Sequence, residues 1–278
     1  MTPYAILLST ALVSAFAPTN AQPAQMVADQ STATSANAFV ATAQRTLAAP
    51  IIIDGAINSA VRIRGAEAAG LEPGFERFYV TVDVLALIKG QAGLPPQVGY
   101  VVDVPLDQNG RTPRLKKLRV LAFARPVSGR PAQLQLIGPH AQQPWSPALD
   151  AMIRKIAKEA VAPEAPPQIT GVGNAFHVPG TIPGEGETQI FVNTSSGAPI
   201  SLSVLTRPNT GKHWAVALGD IVDDAAKPPP RDSLLWYRLA CGLPRHLPGS
   251  SLSGQNPANA DAAREDYQFV LDALGPCN

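Results

Sequence analysis

Hydrophobic and polar positions alternate with a period of two along several short stretches of this chain, and only rarely follow a helical period. The clearest stretch is 77–87 (RFYVTVDVLAL), where Phe78, Val80, Val82 and Val84 fall on one face and Tyr79, Thr81 and Asp83 on the other. Its β-branched and aromatic content fits a half-buried strand. Ile51, Ile52 and Ile53 open an earlier strand that continues through Ile57 and Val61 to Ile63. Three more strands are predicted over 98–104, 118–124 and 134–137, separated by Lys89-Gly90, by 93–96 (GLPP) and by the turn 107–110 (DQNG). Five short strands joined by turns predict a small barrel or sandwich. One helix follows them: Ser146 can cap it, Pro147 suits its first position, and Leu149, Met152, Ile153, Ile156 and Ala160 recur at helical spacing opposite Arg154, Lys155 and Lys158.

The first structured region is therefore set at 50–162. Residues 163–168 (PEAPPQ) read as a stiff Pro-rich linker to a second region over 169–278. There, 171–186 is rich in Gly and Pro and is expected to be irregular. Strands are expected over 189–193 and 200–205, flanking a hairpin turn at 194–199, and over 214–218. Two helices close the chain. Asp232 or Ser233 can cap the first, which ends at Gly242, and Asn259 can cap the second, over 260–274, with Ala263, Tyr267, Val270, Leu271 and Leu274 as its apolar set.

The N-terminus changes the picture of where the protein works. Residues 4–16 are apolar or small and uncharged, and small residues at Thr19 and Ala21 suit a signal peptidase cutting between Ala21 and Gln22. The run is shorter than the ~20 residues a membrane span needs, so no transmembrane segment is expected after cleavage. Residues 1–21 read as a signal peptide and 22–49, rich in Ala, Thr, Gln and Ser, as a flexible tail with one short helix near 36–47. The two cysteines, Cys241 and Cys277, are expected to pair, as an even count does in an exported protein. Periplasmic or secreted localisation by bacterial export follows. The 28 prolines argue against a helix bundle, and the formal charge of +1 gives no reason to expect nucleic acid as a partner.

Catalytic constellations are sparse. The sequence 249–254 (GSSLSG) lacks the spacing of a nucleophile elbow. The four histidines, His140, His177, His213 and His246, lie far apart in sequence, and no HExxH or acidic calcium-loop pattern occurs, so no metal or other cofactor is expected. His177 and His213 flank the second sheet and could meet in space. The densest charge is 111–119 (RTPRLKKLR). Arg111, Arg114, Lys116, Lys117 and Arg119 read either as a surface for an anionic partner or as gatekeepers of an edge strand. The stretch 234–239 (LLWYRL) is an ordinary apolar stripe that also carries hot-spot residue types.

Val61-Arg62-Ile63-Arg64, the strand 77–84, Ile88-Lys89-Gly90, the later strands, Trp145 and the helix after it form a strand, x-K-G, strand pattern that resembles the netrin-like modules. Those modules share an OB-type barrel with the tissue inhibitors of metalloproteinases. The resemblance covers residues 50–160 and implies the barrel alone. Those inhibitors act through a cysteine-bearing N-terminus, and this region has no cysteine. Residues 169–278 resemble only bacterial exported proteins without an assigned activity. The expectation is an α+β, mainly β chain: an OB-like five-stranded barrel closed by a helix, then a short antiparallel sheet with two disulfide-linked helices. Its expected role is non-enzymatic, binding another envelope or periplasmic protein. Two alternatives stay open: a hydrolase with a dispersed site drawing on His177 or His213 with Glu185 or Asp220, and a protease-inhibitor-like loop at 180–187.

Overall fold

The structure, a computed structural model, describes residues 37–277 apart from Ala92 and Asp224. The expected signal peptide, its cleavage point at Ala21 and Gln22, and the first part of the expected tail lie outside the described residues.

Five strands close into a mixed barrel. They are β1 (Ile51–Arg62), β2 (Phe75–Lys89), β3 (Gln97–Pro105), β4 (Arg119–Val127) and β5 (Arg130–Leu136), in the order β1-β2-β3-β5-β4 with β4 returning to β1. All ladders are antiparallel except β3 with β5, which meet at the single pair Gly99 and Gln133. A short β6 (Gln142–Pro144), not expected from the sequence, pairs with β4. Alternation does what it predicted: Phe78, Val80 and Val82 of β2 point inward with Ile53, Ile57, Val98, Tyr100, Val102, Val120 and Ala122. β1 serves two neighbours, so it must bend, and its pairing with β2 carries register shifts on both sides of Ile53-Asp54 and again before Ser59. Gly55 lies at that bend, where a Cβ would meet Val82 Cγ1 at 2.4 Å and the Asp83 carbonyl oxygen at 2.9 Å. Only glycine lets the strands approach this closely.

The second sheet is antiparallel in the order β10-β9-β8-β7, built from β7 (Ile169–Pro179), β8 (Gly186–Thr194), β9 (Ile200–Arg207) and β10 (Gly211–Ala217). The segment expected to be irregular thus contains β7. Its glycines and two register shifts against β8 break the alternation that marks a strand. One face of the sheet packs on helices α1 (described over 37–48), α3 (Leu234–Gly242) and α4 (Pro257–Leu274). Ser233 caps α3, its hydroxyl accepting from the Trp236 amide at 3.2 Å. Asn256, not Asn259, caps α4, because Pro257 takes the first helical position and the Asn256 side chain accepts from the Asn259 amide at 2.9 Å. Cys241 and Cys277 form the expected disulfide, tying the end of α3 to the segment after α4.

Two findings revise the expected domain plan. Residues 37–48, expected as part of the tail, form a docked helix: Phe39, Val40, Thr42, Ala43 and Thr46 are buried, and Phe39 meets Trp236 edge-on at 6.0 Å between ring centres. Helix α2 (Pro147–Val161) does not only close the barrel. Its Ile153 packs against Ile52, Leu121 and Phe123 on the barrel wall, while Ile156 joins the core of the second sheet. The described residues therefore form one compact unit across the Pro-rich 163–168 segment.

Candidate interaction face on the barrel

The alternation that fills the barrel leaves the other half of each strand on its outer wall. On β1, β2 and β3 the register brings Val61, Tyr79 and Val101 side by side, since Val61 pairs with Tyr79 and Tyr79 with Val101. Val61 is 62% exposed and Val101 46%. Between them the Tyr79 ring is half-buried and lies over Gly99, where a Cβ would come within 2.0 Å of its hydroxyl oxygen. Glycine at 99 thus leaves room for the hydroxyl end of the Tyr79 ring against β3. The row is about 10 Å wide, twice the strand spacing.

Polar pairs bound the row on both sides. On one, Arg77 makes a two-pronged contact to Asp103, from Nε at 2.7 Å and from Nη2 at 2.8 Å, and the Asp103 hydrogen bonds raise the Arg77 pKa. On the other, Asp83 accepts from Gln97 Nε2 at 2.8 Å and Asn58 Nδ2 at 2.9 Å, and these donors, Gln97 first, hold its carboxyl below the usual carboxylate range. An exposed apolar centre inside a rim of satisfied polar groups is the pattern of a docking patch.

The basic stretch lies in the loop 106–118 between β3 and β4, not on an edge strand. The loop is fixed at several points. Asp107 Oδ1 accepts from the Asn109 and Arg111 amides at 2.9 and 2.8 Å, Thr112 bonds Glu76, Leu115 is buried, and the Lys117 amide donates to the Ile57 carbonyl at 2.7 Å. Arg111, Arg114, Lys116 and Lys117 are exposed. Arg119 does not belong with them. Its guanidinium holds Asp54, which is buried, through Nε at 2.9 Å and Nη2 at 2.6 Å, and it stacks on Trp145 at 3.8 Å. The Asp54 hydrogen bonds raise the Arg119 pKa.

The other candidate residues stay apart. His177 faces the helices and His213 is exposed on the opposite face of the second sheet, so the two do not meet. Glu185 sits in the turn between β7 and β8, and Asp220 follows β10, exposed. That turn is tight, with the Gly180 amide donating to the Glu185 carbonyl at 2.9 Å. Trp236 and Leu239 of the aromatic stretch are core residues. His140 and His246 are exposed, and among the described residues no three His, Cys, Asp or Glu side chains are grouped to hold a metal ion.

Sequence reasoning missed one buried polar chain. His177 Nδ1 lies 2.8 Å from Thr188 Oγ1, Thr188 donates to Asp266, and Lys212 reaches Asp266 at 2.8 Å and Glu265 at 2.6 Å. Burial pulls the Lys212 pKa down, but the hydrogen bonds that its ammonium donates to the Asp266 and Glu265 carboxylates, with their charges, outweigh it and leave the pKa raised. Thr188 has no solvent access, so its hydroxyl is a link that holds β7, β8 and β10 to α4, not a nucleophile facing a substrate. No protein-family model and no curated protein matches the chain.

Proposed function

We propose that this chain is an exported, non-enzymatic interaction module that binds another envelope or periplasmic protein through the outer face of β1, β2 and β3. The exposed row of Val61, Tyr79 and Val101 carries the reading. Two exposed β-branched residues flanking a half-buried tyrosine cost solvation in the free protein and gain it back when covered. Tyrosine is a frequent centre of binding energy, since it gives much contact area for few rotatable bonds. Export rests on the apolar N-terminal stretch and is compatible with the disulfide. Among the described residues, no helix is long and apolar enough to cross a membrane.

The test is in-cell photocrosslinking from position 101, with exposed Lys158 on α2 as the comparison site. Discrete adducts are expected from 101 and not from 158, and Tyr79→Ser should remove them. Removing a central tyrosine from an interface weakens binding by roughly 30-fold or more. Adducts of equal yield from both sites, or adducts insensitive to Tyr79→Ser, would overturn the assignment of this face.

A further inference from the structure

We infer that the partner of this face is acidic, and that the loop 106–118 recognises its carboxylates while the valine–tyrosine row packs against its apolar residues. The inference rests on the interaction face proposed above and specifies what it binds.

Position comes first. Thr112 bonds Glu76, which also pairs with Arg62 at the end of β1, and Lys117 bonds the backbone of Ile57 near the middle of the same strand. The segment between therefore spans the end of the barrel at which β1 carries Val61, and Arg114, Lys116 and Lys117 lie exposed on that segment.

Charge comes second. The chain's formal charge is +1, so without Arg111, Arg114, Lys116 and Lys117 it is −3. None of the four has a carboxylate partner among the described residues, whereas Glu76 and Asp107 beside them are already engaged. The four fall within residues 111–117, and with a Debye length of ~8 Å at physiological salt neighbouring members act together on an approaching anion.

Conformation comes third. Lys117 is the one non-glycine among the described residues with positive φ, at 70°. Glycine would be accommodated there without strain, yet the position carries a cation. Leu115 points into the barrel core. Within the loop Leu118, next to β4, is the one large apolar side chain left exposed, at 39%, so the loop carries little apolar surface for insertion into a bilayer. An acidic protein segment with apolar residues fits both the row and the loop.

The test uses the purified exported protein and two synthetic 20-residue peptides, one with alternating Glu and Leu or Phe, the other with every Glu replaced by Gln. A third probe is a vesicle of phosphatidylglycerol and phosphatidylcholine. Binding is followed by association and dissociation rates and by amide NMR shifts. The Glu peptide is expected to shift amides around both Val101 and Lys116. The variant R111Q/R114Q/K116Q/K117Q should slow its association at least tenfold with little change in dissociation, as exposed rim charges do. Tyr79→Ser should instead speed dissociation. Lys117→Gly should slow association while raising the melting temperature. Equal binding of both peptides at the row, unaffected by the quadruple variant, would overturn the acidic partner and leave the face intact. Binding to vesicles but to neither peptide would overturn it in favour of a lipid surface. Failure of every probe would also overturn it, and the face itself would then stand or fall on the crosslinking from position 101.

Discussion

Replacing Phe39 by alanine tests whether helix α1 is part of the folded core. The Phe39 side chain is 3% exposed and packs edge-on against Trp236, itself 1% exposed in α3. An aromatic side chain buries roughly 150–250 Å², which at about 25 cal/mol per Å² is worth about 4–6 kcal/mol. Residual burial in the unfolded chain removes roughly a tenth to two-fifths of that. The methyl group left by alanine retains a further part. The expected loss is therefore about 3–4 kcal/mol, within the usual span for Phe→Ala in a core. For a chain of this size that corresponds to a fall in melting temperature on the order of 10 °C. Urea unfolding followed by tryptophan fluorescence reads it directly: the midpoint should fall while the slope stays constant. Gln44→Ala on the exposed side of the same helix should move stability by no more than about 0.5 kcal/mol. A Phe39→Ala protein with unchanged midpoint would refute the docking of α1 and return residues 37–48 to the tail.

Three further outcomes follow from the same structure. Replacing Cys241 and Cys277 by serine removes a cross-link between residues 36 apart and should cost about 3–4 kcal/mol in the chain-entropy model, read as a lower urea midpoint matched by the reduced wild type. Tyr100 and Tyr267 are buried, donate to Gln142 Oε1 at 2.7 Å and the Pro244 carbonyl at 2.6 Å, and have pKa values raised by burial. The folded state then keeps protons that the unfolded state releases, so their contribution is intact below about pH 10 and is lost above it, at about 1.4 kcal/mol per pH unit for each; tyrosinate absorbance should appear for these two only with unfolding. Arg119→Gln should lower the urea midpoint far more than Arg114→Gln, because it strands the buried Asp54 carboxylate, and equal effects would contradict that pairing.

Much of the architecture was legible because two local signals were strong. Strict alternation in β2 marked both the inward set at Phe78, Val80 and Val82 and the outward Tyr79, and turn residues spaced the five strands. The Ser146-Pro147 and Ser233 caps set the starts of α2 and α3. β7 escaped because its glycines and bulges erase alternation while its partner β8 still holds it in the sheet. Helix α1 was legible as a helix near 36–47 but not as core, because a stripe of Phe39, Ala43 and Thr46 in an Ala-Thr-rich stretch has too little apolar bulk to announce a buried face.

The proposed interaction face was less legible for a physical reason: its parts become neighbours only through register. Nothing local links Val61 to Val101, and an outward tyrosine reads the same whether it lies alone or between two valines. The same limit applied to cations. Lys89, the lysine of the strand–K–G pattern, looks like a chain breaker's companion in sequence. In the fold its ammonium donates to the carbonyls of Thr46 at 2.8 Å and Leu47 at 3.3 Å, satisfying the last turn of α1, and burial lowers its pKa. Arg119 likewise sits in one basic run with Arg111, Arg114, Lys116 and Lys117, yet its partner Asp54 is 65 residues away. Spacing along the chain shows where charge is dense. Only the return of β4 to β1 separates the cation already spent on a buried carboxylate from the four still free to meet a partner.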